Sequence, residues 1–103
     1  MSYAVVWREE QGPVYAGSLE LRERCVVLGG SAPQARESRR ELYYSEIDDV
    51  AVDGRAGARL DGRQTLVIDR RRAPNVRVAS VEGAGTLHEI AERLAGAVRR
   101  AAA

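Results

Sequence analysis

Two hydrophobic periodicities divide the chain. From Tyr3 to Val81 apolar residues come in short runs broken by polar and Gly/Pro-containing segments, and from Thr86 onward they recur every three or four residues. The second pattern predicts one helix over Thr86 to Arg100. Leu87, Ile90, Ala91, Leu94, Ala97 and Val98 fall on one face of a 3.6-residue repeat. Thr86 and Glu89 have the spacing of a capping box, in which each side chain bonds the other's free backbone N–H. Glu89 and Glu92 lie early and Arg93, Arg99 and Arg100 lie late, which complements the helix dipole. Glu89 and Arg93 also form an i,i+4 pair in the favoured order. Ala101 to Ala103 are expected to fray. The apolar face of this helix needs a surface to pack on, and no other segment is helical, so that surface is a sheet.

The first pattern predicts seven strands. Tyr3 to Arg8 is aromatic and β-branched, and a polar turn, Glu9-Glu10-Gln11-Gly12-Pro13, follows it. Val14 to Leu21 is the second strand. Tyr15, Gly17, Leu19 and Leu21 share one of its faces, and Gly17 marks a bulge or a close backbone approach. After the short Arg22-Glu23-Arg24 connection, Cys25 to Leu28 forms a third strand, buried on both sides and ended by Gly29-Gly30; the two make a hairpin. Ser31 to Ser38 reads as a polar loop and Arg39 to Tyr44 as the fourth strand. Ile47, Val50 and Val52 carry the fifth, with a bulge near Asp48-Asp49 because their spacing departs from strict alternation. Asp53 to Arg63 is a Gly-rich connection with a short extended piece near Leu60. Gln64 to Asp69 and Val76 to Val81 are the sixth and seventh strands, joined by the basic turn Arg70 to Asn75. Successive strands with short connections favour an antiparallel meander. A sheet of that length curls into a sandwich or barrel, and the C-terminal helix caps its open end.

This order of elements resembles the pleckstrin-homology-like (PH-like) superfold. Gly17-Ser18-Leu19-Glu20-Leu21 followed by Cys25-Val26-Val27-Leu28 is similar to the opening of GRAM and bacterial PH-like domains. Tyr43-Tyr44-Ser45-Glu46-Ile47-Asp48-Asp49-Val50 resembles their apolar strand and S-E-I-x-x-V stretch. The resemblance covers nearly the whole chain and implies one PH-like domain over residues 1–103. It also implies a module without catalysis that binds phosphoinositide headgroups, peptides or proteins, or that self-assembles. Lipid-binding members carry basic residues around the loop after the first strand. Here that loop is the acidic Glu9-Glu10-Gln11-Gly12-Pro13 or the mixed Arg22-Glu23-Arg24, so no phosphoinositide site carries over.

Composition narrows the classes further. With 103 residues, 45% hydrophobic and 30% charged, the chain is long enough to bury roughly two thirds of its unfolded surface. A net charge of +1 argues against a generic nucleic-acid binder. All 16 basic side chains are arginines, suited to bidentate recognition of phosphate or carboxylate, although coding bias explains this more simply. No secretory leader pattern or apolar run of about 20 residues appears, which gives an expectation of a cytoplasmic protein, with peripheral membrane contact left open by its arginines.

Few residues suggest chemistry. Arg70-Arg71-Arg72, with Arg77 on the next strand, is the candidate anion or phospholipid-headgroup site; Arg36, Arg39 and Arg40 form a second basic cluster. Solvated surface is the plainer reading of both. Gly83-Ala84-Gly85 before the helix offers backbone N–H groups to an anion, but His88 stands where a dinucleotide fingerprint needs glycine. His88 is the one histidine and Cys25 the one cysteine, so a Cys/His zinc site is not available and no matched catalytic set exists. Asp48, Asp49 and Asp53 lack the spacing of a calcium loop. Trp7 reads as core rather than interface anchor, and of Tyr43 and Tyr44 one faces outward. The expectation is therefore a non-enzymatic protein-interaction or self-assembly module without cofactor, metal or nucleic acid. Its partner would be an unidentified protein or a second copy, the first strand or an exposed edge pairing by strand addition. The alternative is an anionic lipid surface bound through the Arg-rich turn.

Overall fold

The computed structural model describes residues 2–33, 35–55 and 59–103; Gln34 and residues 56–58, which fall in two of the expected connections, lie outside them. The chain forms seven antiparallel strands in one curled, unclosed sheet and a C-terminal helix. The strands are β1 (Ser2–Glu9), β2 (Val14–Leu21), β3 (Cys25–Ala32), β4 (Ala35–Tyr43), β5 (Ile47–Asp53), β6 (Thr65–Arg70) and β7 (Val76–Ser80), and the helix is α1 (Ala84–Ala102). Their spatial order is β4-β3-β2-β1-β7-β6-β5.

That order corrects the expectation of a simple meander. The two runs β1 to β4 and β5 to β7 are each sequential, but β7 returns to pair with β1, Trp7 lying opposite Val78. β1 is thus central, with β2 on its other side, and has no free edge for strand addition. The consecutive strands β4 and β5 do not pair. A 3-10 turn, Tyr44–Glu46, carries the chain between them, so Tyr44 belongs to the turn and not to the fourth strand. The Tyr44 hydroxyl donates to the Arg22 carbonyl at 2.6 Å and its N–H to the Arg24 carbonyl at 3.1 Å, tying this turn to the β2–β3 connection.

The glycines of β3 are part of the strand rather than its end. A Cβ on Gly17 would sit 2.0 Å from the Gly29 carbonyl oxygen, so the backbones of β2 and β3 approach where only glycine fits. The same opening lets the Trp7 indole N–H reach the Gly29 carbonyl at 3.0 Å while its ring stacks on Tyr15 at 4.5 Å. Trp7 is fully buried, as a core residue should be. β3 and β4 together absorb most of the segment expected as a polar loop, with a register irregularity between Gly30 and Ala32. The expected bulge near Asp48-Asp49 is present as a register shift between Ile47 and Asp49.

The helix covers the sheet's concave side. Leu87, Ile90, Leu94 and Ala97 are buried with Val5, Leu19, Leu28, Leu66 and Ile68 in one cluster, and Ala91 and Val98 pack at its margin. Each large aliphatic side chain so buried contributes about 2 kcal/mol. The capping box does not form. The helix begins at Ala84, two residues earlier than expected, with Gly83 as its cap at φ 110°, a conformation that favours glycine. Glu89 instead accepts a 2.8 Å hydrogen bond from the Tyr3 hydroxyl, pinning the helix to β1. Its pairing with Arg93 is loose, at 4.0 Å. The last turn is helical to Ala102.

Candidate functional site

Alternation decides which charged side chains are available to a partner. Odd residues of β1 and even residues of β4 and β6 point inward, following Trp7, Leu42 and Ile68. Beyond the register irregularity at the start of β4, that rule carries three charged groups to the interior row: Glu9 on β1, Arg40 on β4 and Arg70 on β6. They meet. The Arg70 guanidinium bonds Glu9 Oε2 at 2.5 Å and Arg40 Nε bonds Oε1 at 3.3 Å, so one carboxylate joins both wings of the unclosed sheet. Burial alone would raise the Glu9 carboxyl's pKa, but the hydrogen bonds and charges of Arg70 and Arg40 outweigh it and hold the pKa below the ordinary 4.5. Arg70 Nε also bonds the Pro74 carbonyl at 2.8 Å, and its side chain is only 11% exposed.

The basic turn is therefore divided among several tasks. Arg70 is a structural clamp. Arg71 lies 3.4 Å from Asp48 and is 65% exposed, and its N–H bonds the Glu46 carbonyl at 2.9 Å. Arg72 is exposed. Arg77 sits on the outer face of β7, opposite Arg8 on β1 and Val67 on β6. Arg70 and Arg77 thus point to opposite faces of the sheet, and the four residues form no common ring around an anion. The second basic cluster splits in the same way: Arg40 turns in to Glu9, while Arg36 and Arg39 are exposed.

The other candidates are placed as follows. Gly83 and Ala84 line a groove of about 390 Å³ with Arg59 and Arg63, but those arginines cap backbone carbonyls, Arg59 on Gly62 and Arg63 on Ser80 and Val81. A second groove of about 550 Å³ runs between the end of α1 and the β2–β3 turn; Glu23, Glu92, Arg93 and Arg100 give it mixed charge. Asp53 is gripped by Arg55, whose fork donates at 3.1 and 2.7 Å and holds the carboxyl pKa at about 2. Among the described residues no group of three or more His, Cys, Asp or Glu is arranged to hold a metal ion. His88 is exposed on α1 and Cys25 is buried at 7% exposure. No described helix is long and apolar enough to cross a membrane.

What remains displayed is the outer row and outer edge of β4. Tyr44 N–H bonds the Arg24 carbonyl, which fixes the ladder parity from Ser38 to Tyr43: even residues bond β3, and odd residues turn their N–H and C=O groups away from it. β4 is a terminal strand of the sheet, so Arg39, Glu41 and Tyr43 present side chains and outward backbone groups, the Arg39 carbonyl already accepting from Arg40 Nη1 at 3.1 Å, and Glu37 presents its side chain. All four are exposed, Tyr43 by 45%. The sequence offered one signal for this row, the alternation of charges in Glu37 to Tyr43, but not the strand order that makes it an edge. No protein-family model matches the chain, and no curated protein matches it.

Proposed function

We propose that this chain is a non-enzymatic module of the PH-like type that engages a protein partner, or another copy of itself, through the open edge of its sheet. The observation that supports this best is the unclosed sheet, whose terminal strand β4 turns alternate backbone N–H and C=O groups outward along its regular part, Ser38 to Tyr43. Such a row is a template for an added strand. The element order and the Gly17-to-Leu28 and Tyr43-to-Val50 patterns support the PH-like reading.

Glu41→Pro tests it. The Glu41 N–H points away from β3, so proline removes the outward donor and leaves the β3–β4 ladder intact. Tagged wild type and Glu41→Pro are used to capture proteins from an extract of the source cells, with circular dichroism confirming an unchanged fold. The expected result is at least one protein, this chain or another, held by the wild type and lost by the variant. Identical captured sets would overturn the reading. Sedimentation with anionic and neutral liposomes checks the competing anion reading. Salt-sensitive binding to the anionic liposomes alone, abolished by Arg71→Glu with Arg72→Glu, would move the function to that turn.

A further inference from the structure

Resting on that reading, we propose that the occupant of the β4 edge is a second copy of this chain, added antiparallel about a twofold axis that passes by Arg40. The other edge is poorly suited to such pairing. β5 bears Asp48, Asp49 and Asp53 and has α1 packed against it. Two β5 edges would set like charges against each other.

On β4 the sequence selects the register. From Ser38 to Tyr43 only odd residues have outward backbone groups, so in an antiparallel pair odd must face odd. Five registers overlap three or more residues of the stretch Glu37 to Tyr43, and the one centred on Leu42 sets only Glu41 against Tyr43, without an ion pair. Centred on Ser38, Glu37 meets Arg39 but Arg36 meets Arg40, so two like-charge contacts cancel two favourable ones. Centred on Arg39, Glu37 faces Glu41 twice and Arg39 faces itself. Centred on Glu41, the two glutamates oppose each other. Centred on Arg40, Arg39 faces Glu41 of the second copy twice by symmetry, Glu37 faces Tyr43, and Ser38 faces Leu42. The one like-charge contact is Arg40 with its mate, and each Arg40 already has its own Glu9 at 3.3 Å. This register is therefore the self-complementary one, and a twofold contact of this kind closes after two copies. It joins two seven-stranded sheets into one continuous sheet. A contact of one strand pair lies at the weak end of interface sizes, so the dimer is expected to depend on concentration.

The test is sedimentation velocity of the purified chain from about 10 µM to about 1 mM, where weak interfaces of this size are populated. Wild type should pass from monomer to dimer, and moderate salt should oppose the change. Arg39→Glu and Glu41→Arg each turn two attractive cross-strand contacts repulsive and should weaken dimerisation by about tenfold. The double variant Arg39→Glu/Glu41→Arg restores both contacts and should return the affinity to within about threefold of wild type. Both residues are exposed, so each variant keeps the monomer's fold. A wild-type chain that stays monomeric across the range would overturn the dimer. If source-cell capture still depended on position 41, the interaction-module reading would survive that result with another protein at the edge. A dimer insensitive to the single swaps, or not rescued by the double one, would overturn the β4 register. Growth beyond two copies would mean a head-to-tail contact and would overturn the twofold arrangement.

Discussion

Arg39 and Arg40 are neighbours in the chain and carry the same guanidinium, yet the fold gives them opposite roles. Arg40 turns into the concave side and bonds Glu9, which Arg70 bonds from the opposite wing. Arg39 stands on the outer row with Glu41, exposed. The difference comes from strand alternation: one residue step moves a side chain from the face that holds the molecule together to the face turned to solvent. A run of arginines in a strand is therefore not a patch. The same holds for Arg70 and Arg71, of which the first is 11% exposed and the second 65%.

The comparison predicts a gradient of stability effects along the two rows. The largest belongs to the apolar part of the inner row. Leu42 is 1% exposed beneath the core cluster, and Leu42→Ala should destabilise by about 3 kcal/mol in urea denaturation, from lost burial and the cavity left behind. A loss below about 1 kcal/mol would mean that the inner row is softer than its burial implies.

Next comes the carboxylate that links the wings. Glu9→Gln removes the charge that two guanidinium groups share, and should cost about 2 kcal/mol at neutral pH. The pH dependence has a definite sign. The folded pKa of Glu9 is depressed below 4.5, so its stabilisation is present above that value and is lost as pH falls through the lower folded one. Wild type and Glu9→Gln should therefore converge in stability as acid is added, and a gap unchanged at pH 3 would show that the clamp's charge is unimportant. Within the clamp, the better buried partner should matter more: Arg70→Ala about 2 kcal/mol and Arg40→Ala below about 1 kcal/mol. Equal losses would break the link between burial and commitment on which the comparison rests.

The clamp also marks where reading the chain alone reached its limit. Periodicity was sufficient for β2, whose bounds match the expectation, and for the apolar face of α1. Both rest on local spacing that tertiary contacts reinforce. Gly29-Gly30 misled because glycine usually ends a strand, whereas here it admits a close approach to Gly17, twelve or more residues away in sequence. Thr86 and Glu89 had capping-box spacing, but Gly83 had already started the helix and Tyr3 had claimed Glu89. The tight turn at Asp61-Gly62, with both residues at positive φ between the bridged Leu60 and Arg63, carried a readable Asp-Gly signal that a generic Gly-rich connection concealed. The partners of Glu9 lie 31 and 61 residues away, so no local pattern could pair them. The open edge was equally hidden, because it exists only once β7 returns to β1 and leaves β4 outermost.

The smallest effect is expected on the outer row, where the contrast with Arg40 is sharpest. Arg39 is exposed, has no ion-pair partner among the described residues, and faces Gly29 across the ladder, which offers no side chain to pack on. Arg39→Glu should change the stability of the dilute monomer by no more than about 0.5 kcal/mol. The measurement is urea denaturation at a concentration well below that of association, set beside Arg40→Ala under the same conditions. If Arg39→Glu costs as much as the loss of Arg40, the outer row is part of the fold, and its charges are explained without a partner. If it costs nothing in the dilute chain, the Arg39 charge has no intramolecular task. That charge is then available for the contact with Glu41 of a second copy that we propose.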